Sequence, residues 1–197
     1  MSIIIGLTGP TGAGKSSACT VAAEKGFKIV DCDKLARLAV EKGTKGLKAL
    51  VKVFGVGILN SNGTLDRKEL AKIAFMTKEN TELLNKTLLP HIVLLVKQEI
   101  DAELVLLDAP TLYESGIDSM CNAVIAVLAE REIRLSRILK RDGIDKQAAA
   151  LRIKAGKADE YYKSRTEHII YNNGDEDDFK DQFEAIINKI LKENYDG

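Results

Sequence analysis

Five short apolar segments recur along the chain, separated by longer stretches in which apolar residues return every three or four positions. Most of the short segments are continuous apolar runs, which is typical of parallel strands buried on both faces. The pattern predicts strands over 3–7, 27–31, 104–109, 122–128 and 167–172. It predicts helices over 15–25, 33–41, 44–54, 66–75, 79–101, 130–142, 145–164 and 176–194. Alternating strands and helices indicate an α/β fold with a doubly wound parallel sheet.

Two segments are longer than a simple crossover between parallel strands requires. About seventy residues separate the second predicted strand from the third, and we interpret 42–101 as a helical cap. The charged helical segment 131–164 is interpreted as a lid, and 1–41, 102–130 and 165–197 as the core of a single domain, 1–197. Ligands of open α/β sheets bind outside the carboxyl ends of the strands, so both segments are expected to close over that edge and exclude water.

Charge, cysteine content and the length of the apolar runs limit which partners, disulfides and membrane segments the sequence predicts. Lys plus Arg and Asp plus Glu are equal at 29 each, so no nucleic-acid or membrane partner is predicted. Cys19, Cys32 and Cys121 are scattered and form no C-x-x-C pair, which predicts neither disulfides nor structural zinc. No apolar run approaches the length of a membrane span. We expect a cytoplasmic protein that is a monomer or a weak homo-oligomer.

The stretch "GLTGPTGAGKSS" (6–17) follows the first predicted strand and leads into a helix. It matches the phosphate-loop pattern G-x-x-x-x-G-K-S/T in the context that gives this pattern its mechanism. Its glycines allow positive φ angles and close approach of the backbone to a ligand, and its amides form an anion nest at a helix N-terminus. Lys15 can reach the β and γ phosphates, and the Ser16 hydroxyl can bind Mg²⁺. The alternative is a glycine-rich turn without a ligand.

The second predicted strand ends in "IVDCDKLAR". A carboxylate at this edge can accept the proton of an attacking hydroxyl, and Asp33 is our candidate for that base. The alternative is that Asp33 only caps the following helix, and both roles are compatible. The contribution of Asp31 is left open. Arg37 follows four residues after Asp33, on the same helix face, and is suited to an anionic group of the acceptor.

Asp108 ends the apolar strand "LVLLDAP", the arrangement in which a Walker B aspartate binds Mg²⁺ directly or through water. Glu114 could supplement it or could simply be solvated. Further along, four arginines share one helix stripe, and we assign a phosphate role to Arg141 first and Arg137 second, because arginine binds phosphate oxygens bidentately. The other two, Arg131 and Arg134, are predicted to lie on the surface.

The size and the two extra helical segments fit small-molecule kinases, whereas the N-K-x-D motif of GTPases is missing. Over nearly its whole length, the chain also resembles the dephospho-CoA kinase family. The resemblance is carried by "IGLTGPTGAGKS", "GFKIVDCDKLAR", "GTLDRKELAKIAF" (63–75), "LLDAPTLYESG", "RLSRILKRD" and "IIYNNG".

The resemblance implies a P-loop NTPase three-layer sandwich, in which a five-stranded parallel sheet carries a helical substrate cap and a helical lid. It implies ATP- and Mg²⁺-dependent phosphorylation of the ribose 3′-hydroxyl of dephospho-CoA. By the same resemblance, Asp33 would be the base, Arg141 a lid residue, Asn172 a neighbour of the adenine and Thr8 a substrate-side residue. The ATP phosphates would be bound by Gly12, Ala13, Gly14, Lys15, Ser16 and Ser17. Another nucleoside- or sugar-type kinase, or a non-catalytic nucleotide-binding module, remains the alternative.

Overall fold

The computed structural model describes residues 2–195. Its centre is a five-stranded parallel sheet with strand order β2-β3-β1-β4-β5. β1 pairs in parallel with β3 on one side and with β4 on the other, and β4 pairs with β5. The strands are β1 (Ile3–Thr8), β2 (Lys28–Asp31), β3 (Leu104–Asp108), β4 (Ala123–Leu128) and β5 (His168–Tyr171). The five predicted strands and the parallel α/β sheet are therefore confirmed.

The helices follow the predicted stretches with one clear exception. They are α1 (Lys15–Glu24), α2 (Cys32–Leu38), α3 (Lys45–Phe54), α4 (Arg67–Ala74), α5 (Lys78–Glu99), α6 (Leu112–Ser115), α7 (Arg131–Asp142), α8 (Lys146–Ala155), α9 (Asp159–Lys163) and α10 (Glu176–Tyr195). The single helix predicted over 145–164 is wrong, because the backbone becomes extended at Gly156 and separates α8 from α9. The four-residue α6 and two 3-10 helices, Val56–Ile58 and Ile117–Met120, are too short to produce a periodic pattern.

The chain divides into two compact units. The first contains the residues up to Val30, the segment Ala102–Leu112 and the residues from Asp118 onward. The second contains Asp31–Asp101 and Tyr113–Ile117, and so includes the segment that we interpret as the cap. The assignment of 131–164 as a lid and of the whole chain as one kinase domain stays a prediction.

The first unit has helices on both faces of its sheet, as β4 shows. Ile125 and Val127 belong to the buried cluster that contains residues of α1 and the α10 residues Phe179 and Phe183. Ala126 and Leu128, which alternate with them, belong to a separate cluster with Tyr162 of α9. Because successive side chains of a strand point to opposite faces, this division defines the three layers.

The second unit has its own small core. One residue follows α2, and the others come from α3, from the first 3-10 helix and from α4 and α5: Val40, Leu50, Ile58, Leu70, Ala74 and Leu84. Side-chain caps fix where its helices begin, since Thr44 accepts a hydrogen bond from the Leu47 amide and Asp66 accepts from two amides of α4.

Two further observations concern the cysteines and the apolar character of the helices. Within residues 2–195, no disulfide joins Cys19, Cys32 and Cys121. No helix in the same range has the length and apolar character needed to cross a membrane.

Candidate active site

The predicted phosphate loop connects β1, which ends at Thr8, to α1, which begins at Lys15. Gly12 and Gly14 have φ angles of 80° and 102°, in the left-handed region that favours glycine. A Cβ atom on Gly14 would lie 2.1 Å from Nδ2 of Asn172. Glycine is therefore required there both by conformation and by space. The positive φ angles expected of the loop are confirmed.

A cavity of about 500 Å³ opens over this loop, entirely within the first unit. Its volume falls in the range of small-molecule sites. The loop contributes five residues to the lining: Gly12, Gly14, Lys15, Ser16 and Ser17. The rest of the lining comes from Asp108, Pro110, Arg137, Arg141, Asn172, Gly174, Asp175, Glu176 and Phe179. The structure thus brings together most of the predicted nucleotide-side residues from four separate parts of the sequence.

The loop side of the cavity is electropositive. Lys15 donates a hydrogen bond from Nζ to the Gly9 carbonyl, 3.1 Å away, which holds its side chain back over the loop. The first turn of α1 contains no acidic residue, so its amide groups and the helix dipole are not neutralised locally. This arrangement is suited to phosphate groups.

Asp108 is the last residue of β3 and lies in register with Leu7 of β1. One of its oxygens, Oδ1, is buried and accepts no hydrogen bond from residues 2–195. The Ser16 hydroxyl and the Asp108 carboxylate line the same cavity and supply the hard oxygen ligands that Mg²⁺ prefers. The described residues contain no cluster of three or more His, Cys, Asp or Glu that could hold a metal. An ion bound here would therefore complete its coordination with water and phosphate oxygens, as Mg²⁺ commonly does.

Arg137 connects three parts of the site. Its guanidinium donates from Nη1 to the Ala13 carbonyl at 3.2 Å and from Nη2 to Oδ1 of Asn172 at 2.9 Å. Asn172 is itself buried, and its backbone amide donates a hydrogen bond to the carbonyl of Leu128, the last residue of β4. Burial lowers the pKa of Arg137. The residue stays charged at neutral pH, because arginine ordinarily titrates above pH 12.

Arg141 lines the same cavity from the end of α7, but its side chain is largely exposed. Its guanidinium donates to both carboxylate oxygens of Asp142, at 2.7 and 3.0 Å, and this contact raises the pKa of Arg141. Arg152 of α8 also bonds to Asp142. Arg141 is therefore an exposed cation paired with its neighbour in the sequence, whereas Arg137 is hydrogen-bonded to the loop.

The prediction that Arg134 lies on the surface is wrong. Its side chain is only 6% exposed, Nε donates to the Thr11 carbonyl at 3.0 Å, and Nη1 lies 3.8 Å from the Asp159 carboxylate. Burial lowers the pKa of Arg134. Spacing places the four arginines on one stripe, but it does not reveal that the loop and α9 cover this one. Arg131 lies on the surface, as predicted, and contacts Glu132.

The acceptor-side candidates Asp33 and Arg37 belong to the second unit, as does Glu114 of α6. The residue that caps α2 is Asp31, whose carboxylate accepts a hydrogen bond from the Lys34 amide at 2.8 Å. The interpretation of Asp33 as the cap is therefore wrong, and its carboxylate is exposed in the first turn of α2. Arg37 follows one turn later and is also exposed.

Thr8 is buried at the end of β1, and its hydroxyl donates to the Pro110 carbonyl at 3.4 Å. This contact ties the start of the phosphate loop to the segment after β3. The substrate-side role of Thr8 stays a prediction, as do the catalytic and binding roles of the other candidates.

Comparison with known proteins identifies the family to which the chain belongs. A sequence model of the dephospho-CoA kinase family matches residues 3–178. A dephospho-CoA kinase from Fusobacterium nucleatum is 36% identical over 194 residues, which cover 96% of this chain and 100% of the relative. The crystal structure of a Thermus thermophilus protein superposes with a TM-score of 0.76 at 28% identity, covering 98% of this chain and 97% of that one. The structure of a dephospho-CoA kinase from Campylobacter jejuni superposes with a TM-score of 0.65 at 27% identity, covering 98% of this chain and 100% of that one. The chain belongs to the dephospho-CoA kinase family.

Proposed function

We propose that the protein transfers the γ-phosphoryl group of ATP to the 3′-hydroxyl of the ribose in dephospho-CoA, giving CoA and ADP. The observation that carries the proposal is the cavity over the phosphate loop, in a chain that matches the family model over residues 3–178. The activity is that of an ATP-dependent kinase. A nucleoside- or sugar-type kinase and a non-catalytic nucleotide-binding module are not favoured.

The donor side of the reaction is assigned to the first unit. The amides of residues 12–17 and the Lys15 ammonium bind the phosphates of ATP, and Arg137 adds a fixed positive charge. Ser16 and Asp108 would hold Mg²⁺, directly or through water. When bound, the ion neutralises charge on the β and γ phosphates. Asn172 lines the same cavity, and we assign it to the adenine side.

The acceptor side is assigned to Asp33. Its carboxylate takes the proton of the ribose 3′-hydroxyl while the hydroxyl oxygen forms a bond to the γ phosphorus and the bond to the ADP oxygen breaks. The assignment is supported by the place of Asp33 in the chain, two residues after the end of β2, because parallel strands present their carboxyl ends to ligands. It is also supported by the finding that Asp31, and not Asp33, caps α2, so that the Asp33 carboxylate is not used as the cap.

Arg141 is assigned to neutralising charge as the predicted lid, 131–164, closes over ATP. The Arg141 side chain is 61% exposed, whereas its present partner Asp142 is 17% exposed, so the guanidinium can exchange this contact for a phosphate without itself leaving a buried position. Closure would exclude water from the γ phosphate and so suppress hydrolysis. A cytoplasmic location, a monomer or weak homo-oligomer, and the lack of a nucleic-acid partner stay predictions.

Release of ADP by the purified protein with Mg-ATP tests the proposal. Dephospho-CoA, adenosine, AMP and no acceptor are compared, and Lys15→Ala serves as the inactive control. We expect ADP at a catalytic rate with dephospho-CoA alone. Turnover with adenosine or AMP instead would support kinase activity but would contradict dephospho-CoA as the acceptor. ATP binding without turnover of any acceptor would indicate the non-catalytic module.

A further inference from the structure

A second cavity, of about 440 Å³, lies within the second unit. Its lining carries three cationic side chains, Arg37, Lys42 and Arg67, and one carboxylate, Glu41. Val40, Thr64 and Leu65 complete the lining. We call this the basic cavity. With three positive charges and one negative charge around one space, it is suited to an anion.

The two arginines of the basic cavity have unused hydrogen-bonding capacity. Within residues 2–195, neither Arg37 nor Arg67 makes a side-chain hydrogen bond or ion pair, although Glu41 lines the same cavity. A guanidinium has five N–H donors in a planar fork that matches phosphate oxygens. Two such groups facing one cavity without an internal partner indicate a ligand with several anionic oxygens.

The walls of the basic cavity are held in place by local hydrogen bonds. Asp31 caps α2, which carries Arg37, and Asp66 accepts from the Lys68 and Glu69 amides at 2.9 and 3.0 Å, which fixes the start of α4 at Arg67. Lys42 donates from Nζ to the Asn62 carbonyl at 2.7 Å and thereby joins the segment after α2 to the loop before α4. A ligand therefore meets a site whose backbone is already ordered, which reduces the entropy lost on binding.

From this geometry we infer that the basic cavity binds the diphosphate group of the acceptor, with Arg37 and Arg67 as its principal ligands. The inference rests on the proposed function. Arg37 follows the proposed base, Asp33, by one turn of α2, a rise of about 6 Å along the helix. In dephospho-CoA the diphosphate is attached to the ribose 5′-oxygen, so one sugar ring separates it from the reacting 3′-hydroxyl. A base and a phosphate-binding arginine one helical turn apart match that separation.

The basic cavity then determines which acceptors are used. Its arginines contact a group that does not react, so they contribute mainly to binding of the acceptor and not to the chemical step. A nucleoside that lacks the 5′-diphosphate leaves both guanidiniums without a ligand. Discrimination against adenosine is therefore expected to come from the second unit, in which this cavity lies.

The test compares the double variant Arg37→Ala/Arg67→Ala with a matched control, Lys34→Ala/Lys68→Ala. The control removes two exposed cations from the same two helices, and neither lysine lines the cavity. At saturating Mg-ATP, we expect the KM for dephospho-CoA to rise about 100-fold in the double variant, because each lost charge-assisted contact costs roughly tenfold. The KM for ATP should stay within about twofold, and the control should resemble the wild type. An unchanged KM for dephospho-CoA, or an equal rise in the control, would overturn the inference.

Inorganic pyrophosphate separates this inference from the proposed function. Its binding is measured by calorimetry with the phosphate loop filled by a non-hydrolysable ATP analogue and Mg²⁺. We expect the wild type and the lysine control to bind it and the arginine double variant to lose binding. Equal binding by the double variant would overturn the site even if the wild type makes CoA. If the wild type makes no CoA, the proposed function fails, whereas loss of pyrophosphate binding in the double variant would still support the anion site.

Discussion

Arg137 donates a hydrogen bond to Oδ1 of Asn172 at 2.9 Å while its other terminal nitrogen binds the Ala13 carbonyl in the phosphate loop. The pair links α7, the phosphate loop and the residue that follows β5. In the same place, Nδ2 of Asn172 occupies the position that a Cβ atom on Gly14 would need. The shape of the loop and the position of the arginine are therefore set by the same amide side chain.

Arg137→Ala should weaken ATP binding. It removes a fixed positive charge from the cavity and leaves the Ala13 carbonyl and the Asn172 amide without this donor. Loss of one such contact costs about 1.5–3 kcal/mol, so we expect the KM for ATP to rise about 10- to 100-fold. Steady-state kinetics with saturating acceptor measure this. Arg131→Ala, on the same helix but exposed, is the control, and an equal effect of both changes would contradict the role of Arg137.

Gly14→Ala should abolish ATP binding without unfolding the protein. The added methyl group meets Asn172 at 2.1 Å and the residue is held at a φ of 102°. Gly26→Ala is the matched control, since Gly26 also has a positive φ, 86°, but nothing lies within 4 Å of its Cβ position. We expect both variants to lose about 1 kcal/mol of stability from backbone strain, Gly14→Ala to lose more because of its contact with Asn172, and only Gly14→Ala to lose nucleotide binding. Fluorescence titration with an ATP analogue and thermal unfolding separate the two effects, and normal binding by Gly14→Ala would refute the loop geometry.

Asp33→Asn should lower kcat by about 100-fold or more while leaving the affinity for ATP unchanged, because an amide cannot accept the hydroxyl proton. Asp31→Asn is the control. Asparagine caps a helix as well as aspartate does, so this change removes a charge two residues away and keeps α2 intact. Rapid-quench measurement of the chemical step distinguishes the two variants. Full activity of Asp33→Asn would remove Asp33 from the mechanism, and a comparable loss in Asp31→Asn would assign the base role to both residues.

Cys121 should be unreactive in the folded protein. Burial, aided by the nearby Asp118, raises the pKa of its thiol to about 12. At pH 8 its thiolate fraction is then about 2,000-fold below that of an ordinary cysteine with a pKa near 8.5. We expect iodoacetamide to label Cys121 only after denaturation, which peptide mass spectrometry can follow. Rapid labelling of Cys121 under native conditions would contradict the raised pKa of this partly buried thiol.

The same shift predicts how stability changes in alkali. The folded state holds the Cys121 proton more tightly than the unfolded state. The thiol therefore contributes its full stabilisation of the fold below a pH of about 8.5, and this stabilisation is lost as the pH rises toward 12. Thermal unfolding of the wild type should therefore shift to lower temperature between pH 9 and 11 more than that of Cys121→Ala. Parallel pH dependence of the two proteins would show that the thiol does not contribute.

The strands and the phosphate loop could be predicted because their signals are local. Continuous apolar runs identify buried parallel strands, and the spacing of Gly9, Gly14, Lys15 and Ser16 has one dominant structural context. The position of Asp108 at the end of β3 and on the lining of the cavity could be predicted in the same way, from an apolar run that ends in aspartate, whereas its role toward Mg²⁺ stays a prediction.

The features that the sequence did not reveal depend on tertiary contacts. In the sequence, Arg134 cannot be distinguished from the other arginines of its stripe. Its burial is seen only in the structure, where it contacts the Thr11 carbonyl and Asp159. Either Asp31 or Asp33 could have capped α2, and a difference of two residues in where the helix begins decides between them. The break at Gly156 lies within otherwise helical composition, so residue propensity alone does not locate it.

The reaction itself is tested most directly by identifying the product of a reaction with Mg-ATP and dephospho-CoA by mass spectrometry and ³¹P NMR. The matched acceptor is the 3′-deoxy analogue of dephospho-CoA, which differs only in the hydroxyl that is phosphorylated. We predict a single added phosphate on the ribose 3′-oxygen, and no product from the 3′-deoxy analogue. A phosphate at another position, or equal phosphorylation of the two acceptors, would contradict the assignment.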